Sequence, residues 1–263
     1  MFTANATPAS FALTRAAGSP GLRRLRGLPE DDEGKGSAAL DLSSAVAHLT
    51  AMTLTKICGL TTPDTLDAAL DGGAAFVGAV VFPKSPRHIP PLHAATLFDR
   101  ARGKAKVVAV LVDPDDALLS EVALILRPDL IQLHGHETPQ RAAEARRLTG
   151  AGIIKALSIR DEDDFAGVAD WTGVADHLLF DARPPKGADL PGGVGASFDW
   201  TLMQNRALPA SWFLAGGLDP QNVSGAVRIS GAPMVDVSSG VESAPGVKDR
   251  ALIKAFLDAA SRS

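Results

Sequence analysis

The chain has 263 residues, 46% hydrophobic and 21% charged, enough apolar material to bury a core and too much for a disordered or collagen-like chain. Twenty-six Lys and Arg against 30 Asp and Glu give a formal net charge of -4, which offers nucleic acid or an anionic membrane no global attraction. The apolar run Ala74 to Phe82 falls far short of the roughly 18 residues of a spanning helix, and a single cysteine, Cys58, excludes an internal disulfide and suits a reducing, cytoplasmic compartment.

Residues 1–51 carry no sustained apolar periodicity and hold clusters of turn-formers, Gly18-Ser19-Pro20-Gly21 and Gly34-Lys35-Gly36-Ser37. They are expected to be a disordered or mis-annotated extension outside the core. Four arginines (Arg15, Arg23, Arg24, Arg26) precede the first acid in the manner of an organellar transit peptide, until Glu30-Asp31-Asp32-Glu33 closes that window. An over-extended translation start is favoured over a native tail or a targeting segment, because a strand-like run begins directly after Met52.

Residues 52–263 form the expected domain, in which one unit repeats. Strands are predicted at Thr53 to Cys58, Ala75 to Phe82, Val107 to Val112, Leu130 to Leu133, Gly152 to Leu157, His177 to Phe180, Trp212 to Ala215 and Met234 to Val237. Helices are predicted over Thr62 to Asp71, Pro91 to Arg102 and Asp116 to Leu126, with later ones beginning near Thr138, Asp161, Asp199, Asp219 and Val247. Thr62-Pro63 and Thr138-Pro139 pair an N-cap hydroxyl with proline at the first helical position. Eight strand-then-helix units predict an α/β fold, a closed (β/α)8 TIM barrel, with a doubly wound open sheet as the other architecture.

In such a barrel the inward-facing residues at the C-terminal strand ends build the site. Lys56 and Cys58 share one parity, so the ammonium is expected to favour a reactive thiolate. Asp181 closes the apolar Leu178-Leu179-Phe180, which predicts a raised pKa and a general acid, against a loop cap or an ion pair with Arg183. Asp236, inside Val235-Asp236-Val237, requires a partner, either ligand or barrel lysine. Gly216-Gly217 and Ser238-Ser239-Gly240 follow strands 7 and 8, where barrels bind phosphate on loop amides. Gly192, Gly193 and Gly195 lie in the long loop after strand 6, suited to a lid. Arg87, in a rigid basic loop, suits a ligand carboxylate. Gln132 and His134 are expected to line the barrel floor, with Gln132 counted among the substrate-binding residues. His134 and His136 have a metal-like spacing without further ligands, so no metal site is expected, and Lys155 is weighed as a Schiff-base lysine or a structural one. No nucleotide-binding glycine motif occurs.

Lys56-Ile57-Cys58-Gly59, Phe82-Pro83-Lys84-Ser85-Pro86-Arg87, Gln132-Leu133-His134-Gly135, Phe180-Asp181, Phe198-Asp199-Trp200, Ala215-Gly216-Gly217-Leu218 and Val235-Asp236-Val237-Ser238-Ser239-Gly240-Val241-Glu242 together resemble the phosphoribosylanthranilate isomerases of tryptophan biosynthesis, from Thr53 to about Leu257. The resemblance implies an Amadori rearrangement without cofactor or metal, on a small phosphorylated substrate, with Cys58 as base and Asp181 as acid. It further implies that Arg87 holds the anthranilate carboxylate, that Asp236 contacts the anthranilate amino group, and that Gly217, Ser238 and Ser239 hold the phosphate. Two departures stand out. Gly193-Val194-Gly195-Ala196-Ser197 lacks the hydroxyl and cation usual in the family's strand 6 loop, for which Ser197 or Lys186 would have to compensate, and Asp113-Pro114 replaces Asn-Pro. The other readings are a Schiff-base sugar-phosphate aldolase on Lys155 or Lys56 and a catalytically silent phosphate-binding barrel. The outer helix faces carry no distinctive stripe, leaving monomer and homodimer both open.

Overall fold

The computed structural model describes residues 53–183, 192, 195 and 197–263. The expectations for residues 1–51, Lys186, Gly193, Val194 and Ala196 lie outside the described residues. Eight parallel strands pair in sequence order and close on themselves, β1 (Leu54–Cys58), β2 (Phe76–Val80), β3 (Lys106–Leu111), β4 (Leu130–Leu133), β5 (Gly152–Ile159), β6 (His177–Ala182), β7 (Trp212–Leu214) and β8 (Met234–Val237). The barrel is therefore the architecture, and the open sheet is not. Strand alternation divides the apolar residues into two cores. Phe76, Val80, Val108, Val110, Ile154, Ala156, Leu179, Phe213 and Met234 fill the barrel, while Ile57, Val77, Ile131, Ile153, Phe180 and Val235 face the outer layer. Near the barrel's base, Phe76 and Phe213 meet edge to face at 5.1 Å between centroids.

The outer layer holds six α-helices among the described residues, α1 (Pro63–Asp71), α2 (Pro91–Phe98), α3 (Asp116–Ile125), α4 (Pro139–Thr149), α5 (Val223–Ser230) and α6 (Arg250–Ala260). Thr138 caps α4 as its sequence predicts, its Oγ1 accepting from the Arg141 amide at 3.2 Å. Thr62 does not cap α1, because its hydroxyl instead meets Thr65 Oγ1 at 2.7 Å. No helix among the described residues is long and apolar enough to cross a membrane.

Two expected helices are replaced by 3-10 turns. After β5 the chain turns through Glu162–Phe165 and Val168–Trp171, and after β6 through Trp200–Met203. After β5 part of the reason is local, since Gly167, a poor helix former, stands between the two turns. An Asp161–Asp164 capping box closes the first turn reciprocally. The last helix begins at Arg250 rather than Val247, because Val247–Lys248 (β10) pairs antiparallel with Glu242–Ala244 (β9), and Asp249 caps the Ala251 and Leu252 amides. Likewise α5 begins at Val223, after Asp219 and Asn222 have satisfied each other in a turn.

Candidate active site

A single pocket at the C-terminal mouth gathers most of the residues singled out from sequence. Cys58, Arg87, Gln132, His134, Asp181, Gly192, Gly195, Gly216, Gly217, Asp236, Ser238 and Ser239 all line it, with Val80, Phe82, Val110 and Ala215 as apolar walls. Strand parity explains this convergence. Lys56 and Cys58 on β1, Gln132 and His134 on and after β4, Asp181 on β6, and Asp236 and Ser238 on and after β8 occupy alternate, inward positions.

Asp236 finds the barrel lysine. It is the register partner of Lys56 across the β1–β8 seam, and Lys56 Nζ donates to its Oδ1 at 3.0 Å with both side chains buried. Burial acts against the Lys56 charge, but Asp236 and Cys58 outweigh it and raise the lysine above its ordinary pKa. Cys58 departs from expectation. Its burial dominates and raises the thiol pKa, outweighing the nearby Lys56 and Lys248 charges that favour thiolate. The cation that the sequence placed beside the thiol is largely committed to Asp236. Gly78, the β2 register partner of Cys58, leaves room for the thiol, since a Cβ there would stand 3.2 Å from the sulfur.

Asp181 does not pair with Arg183, which reaches Asp164 instead. Its Oδ2 lies 3.3 Å from His134 Nε2, and the His134 Nδ1 lies 2.8 Å from Gln132 Nε2. His136 points elsewhere, its ring exposed beside Asp113, so the two histidines do not converge on one point. Lys155 has outward parity. It donates to Glu137 at 2.6 Å and to the Gly135 carbonyl at 2.8 Å, is buried against Trp171, and lies outside the pocket. That placement removes it as a Schiff-base candidate. Lys56, buried behind Asp236, does not line the pocket either. Asp113, at φ 45, accepts the His136 amide at 2.6 Å, so a carboxylate serves this left-handed turn.

The loops after β7 and β8 present Gly216, Gly217, Ser238 and Ser239 to the pocket. Gly216 and Gly217 have φ of 84 and 64, and Asn222 Nδ2 fixes the turn by donating to the Gly217 carbonyl at 2.8 Å. Gly240 does not reach the pocket. It is glycine because a Cβ would overlap the Leu218 carbonyl, so its role is to let the two loops pack. Gly195, in the loop after β6, approaches Ser239, with 3.8 Å between its would-be Cβ and the hydroxyl.

Sequence reasoning missed the support beneath this site. Glu242 takes Arg87 Nε at 2.7 Å and Nη2 at 2.8 Å, a two-pronged pair buried on both sides. Lys248 donates to the same Glu242 at 2.6 Å and to the Ser238 carbonyl at 2.8 Å, and Ser238 Oγ reaches the Cys58 carbonyl at 3.3 Å. Arg87, the β8 loop and the β1 end are thereby joined through one buried carboxylate. Burial opposes the Glu242 charge, but Arg87 and Lys248 hold its carboxyl below the usual range. The only sequence signal was the acidic residue closing Ser238-Ser239-Gly240-Val241-Glu242, and nothing there names its partners, 155 and 6 positions away.

The family model of N-(5'-phosphoribosyl)anthranilate isomerase matches residues 55–259. An N-(5'-phosphoribosyl)anthranilate isomerase of Caulobacter vibrioides is 56% identical over 209 residues, which cover 79% of this chain and 95% of the relative. One from Paramagnetospirillum magneticum is 53% identical over 205 residues, 78% of this chain and 95% of its own. Among solved structures, the phosphoribosylanthranilate isomerase of Thermotoga maritima superposes with a TM-score of 0.73 at 31% identity, covering 81% of this chain and 100% of its own. A second, solved in complex with reduced 1-(o-carboxyphenylamino)-1-deoxyribulose 5-phosphate, gives 0.70 at 30% identity with the same coverage. The convergent pocket, the closed barrel and these likenesses agree: the chain belongs to the N-(5'-phosphoribosyl)anthranilate isomerase family.

Proposed function

We propose that Cys58 and Asp181 are the base and the acid with which this chain isomerises N-(5'-phosphoribosyl)anthranilate to 1-(2-carboxyphenylamino)-1-deoxyribulose 5-phosphate in tryptophan biosynthesis. The observation that carries the assignment is that a thiol on β1 and a carboxylate on β6 project into one pocket. Asp181 gives its proton to the ribose ring oxygen. The C1'–O bond breaks with its electrons going to that oxygen, and the anthranilate nitrogen lone pair forms an iminium. Cys58, as thiolate, then takes the C2' proton. The C2'–H electrons form a C1'=C2' double bond and the nitrogen recovers its lone pair. The resulting enolamine gains a proton at C1' and loses its hydroxyl proton, giving the ketone. The proton inventory closes between acid, base and solvent, so the scheme draws on no cofactor or metal.

The remaining assignments follow the pocket's polarity. Arg87, held in place by Glu242, takes the anthranilate carboxylate, and Asp236 faces the amino group. Amides of Gly217, Ser238 and Ser239 take the phosphate, while Gly192 and Gly195 cover the mouth as part of a lid. Residues 52–263 are the catalytic domain, working in the cytoplasm as a monomer or a homodimer. The Thermotoga maritima relative has been solved in monomeric forms generated from a dimer.

The test is turnover of freshly prepared phosphoribosylanthranilate by wild type, Cys58→Ala and Asp181→Asn. Each variant is expected to lose roughly 10²-fold or more in kcat while still binding the reduced product analogue. Retention of most of kcat by Asp181→Asn would remove the acid assignment, and no turnover by a folded wild type that binds the analogue would indicate a silent barrel.

A further inference from the structure

Gln132 and His134 stand two residues apart, so both face the barrel interior. The His134 ring lies between Gln132, whose Nε2 is 2.8 Å from Nδ1, and Asp181, whose Oδ2 is 3.3 Å from Nε2. The scheme above leaves His134 without a task, although its ring meets the proposed acid. We propose that His134 is a positioning residue for Asp181: Gln132 fixes its tautomer, and its Nε2–H, on engaging Oδ2 in the substrate complex, reserves Oδ1 for the proton that is transferred. The inference rests on Asp181 being the acid.

An amide nitrogen can only donate, so the ring nitrogen facing it bears the lone pair, and the proton of a neutral imidazole is then on Nε2. An N–H aimed at Oδ2 disfavours a proton on that oxygen and stabilises the carboxylate that remains once the proton on Oδ1 has left. As it stands the 3.3 Å contact is a charge contact and not a hydrogen bond, and the proposal has it align when substrate is engaged, as catalytic contacts do. Two further observations point the same way. A Cβ on Gly192 would stand 2.5 Å from both Asp181 Oδ2 and His134 Nε2, so the chain covers this side of the carboxyl group. Gln132 is buried, and its Oε1 has no hydrogen-bond partner among the described residues. With its nitrogen committed to His134, that oxygen is left for a donor in the pocket, and a sugar hydroxyl is of the right chemistry.

The experiment uses the full chain and compares His134→Ala, His134→Gln, Asp181→Asn and the double variant Asp181→Asn/His134→Ala. His134→Ala is expected to lose roughly 10- to 100-fold in kcat, part of a general acid's usual contribution, with KM within about twofold. His134→Gln, whose side-chain amide restores a donor to Oδ2, should recover most of that loss. In the Asp181→Asn background, removing His134 should cost less than twofold, because its effect passes through the carboxyl group. With 15N-labelled histidine, the resonance lost in His134→Gln should be that of an Nε2–H tautomer. A full loss in the Asp181→Asn background, an undiminished kcat in His134→Ala, a His134→Gln no better than alanine, or an Nδ1–H tautomer would each overturn the proposal. An active Asp181→Asn would overturn it by a different route, removing the acid assignment on which it rests.

Discussion

Cys58 shows how far a residue's neighbours in sequence can mislead about its chemistry. Lys56, two positions away, predicts a lowered thiol pKa, whereas the register across the β1–β8 seam delivers Asp236 to that lysine and burial of the sulfur raises the pKa instead. A raised pKa means that at any given pH below it the thiolate is scarcer than in a free cysteine. Alkylation of Cys58 by iodoacetamide is therefore expected to accelerate with rising pH through and beyond the ordinary thiol range of about 8.5. A rate that levels off below that range would show an activated thiolate and reinstate the sequence-based expectation. Asp181 is the converse case. Its position at the end of β6 was legible, but its partner, His134, follows β4, 47 positions earlier in the chain, and only the closed barrel sets the two side by side.

At the scale of elements, two loops solve one problem in the same way. Asp129, just before β4, accepts the Val107 amide of β3 at 2.8 Å and pairs with Lys106, while Asp176, just before β6, accepts the Ile153 amide of β5 at 2.6 Å and pairs with Arg146. Each carboxylate ties the start of one strand to the start of the next. Burial opposes both charges, but the amide and the cation outweigh it, and both carboxyls sit below their ordinary pKa. A depressed pKa gives stability that is fully present above the unfolded-state value of about 3.9 and is lost as pH falls through the folded value. Asp129→Asn and Asp176→Asn are thus expected to lower the urea midpoint at pH 7 and to flatten its decline below pH 4. Equal declines in wild type and variants would exclude these carboxylates as the groups responsible. The 3-10 turns after β5 and β6 belong to this scale too. Gly167 was present in the sequence as a helix-breaking signal but was masked by the acidic run before it, which looks like a helix start.

For the whole molecule, the family match and the described barrel both begin just after Met52. The proposal that residues 52–263 are the catalytic domain predicts that a chain begun at Met52 keeps kcat and KM for phosphoribosylanthranilate within about twofold of the full chain, and melts at nearly the same temperature. Loss of folding or of activity on this truncation would give residues 1–51 a role in the enzyme.

What the sequence determined by itself was periodic or local. Eight β-rich runs in alternation predict a barrel because strand and helix periods are written in consecutive residues, and parity then names the inward positions, including Cys58, Gln132, Asp181 and Asp236. Glycine and serine after β7 and β8 mark the mouth for the same reason. What only the tertiary structure decided was pairing: Lys56 with Asp236, Arg87 with Glu242, Lys248 with Ser238, Lys155 with Glu137 and His134 with Asp181. These contacts set whether a buried charge is committed or available, and hence which lysine supports the site and which nitrogen faces the acid. Each depends on strand register and loop path, and charge interactions carry no trace in the spacing of residues that may be 180 positions apart.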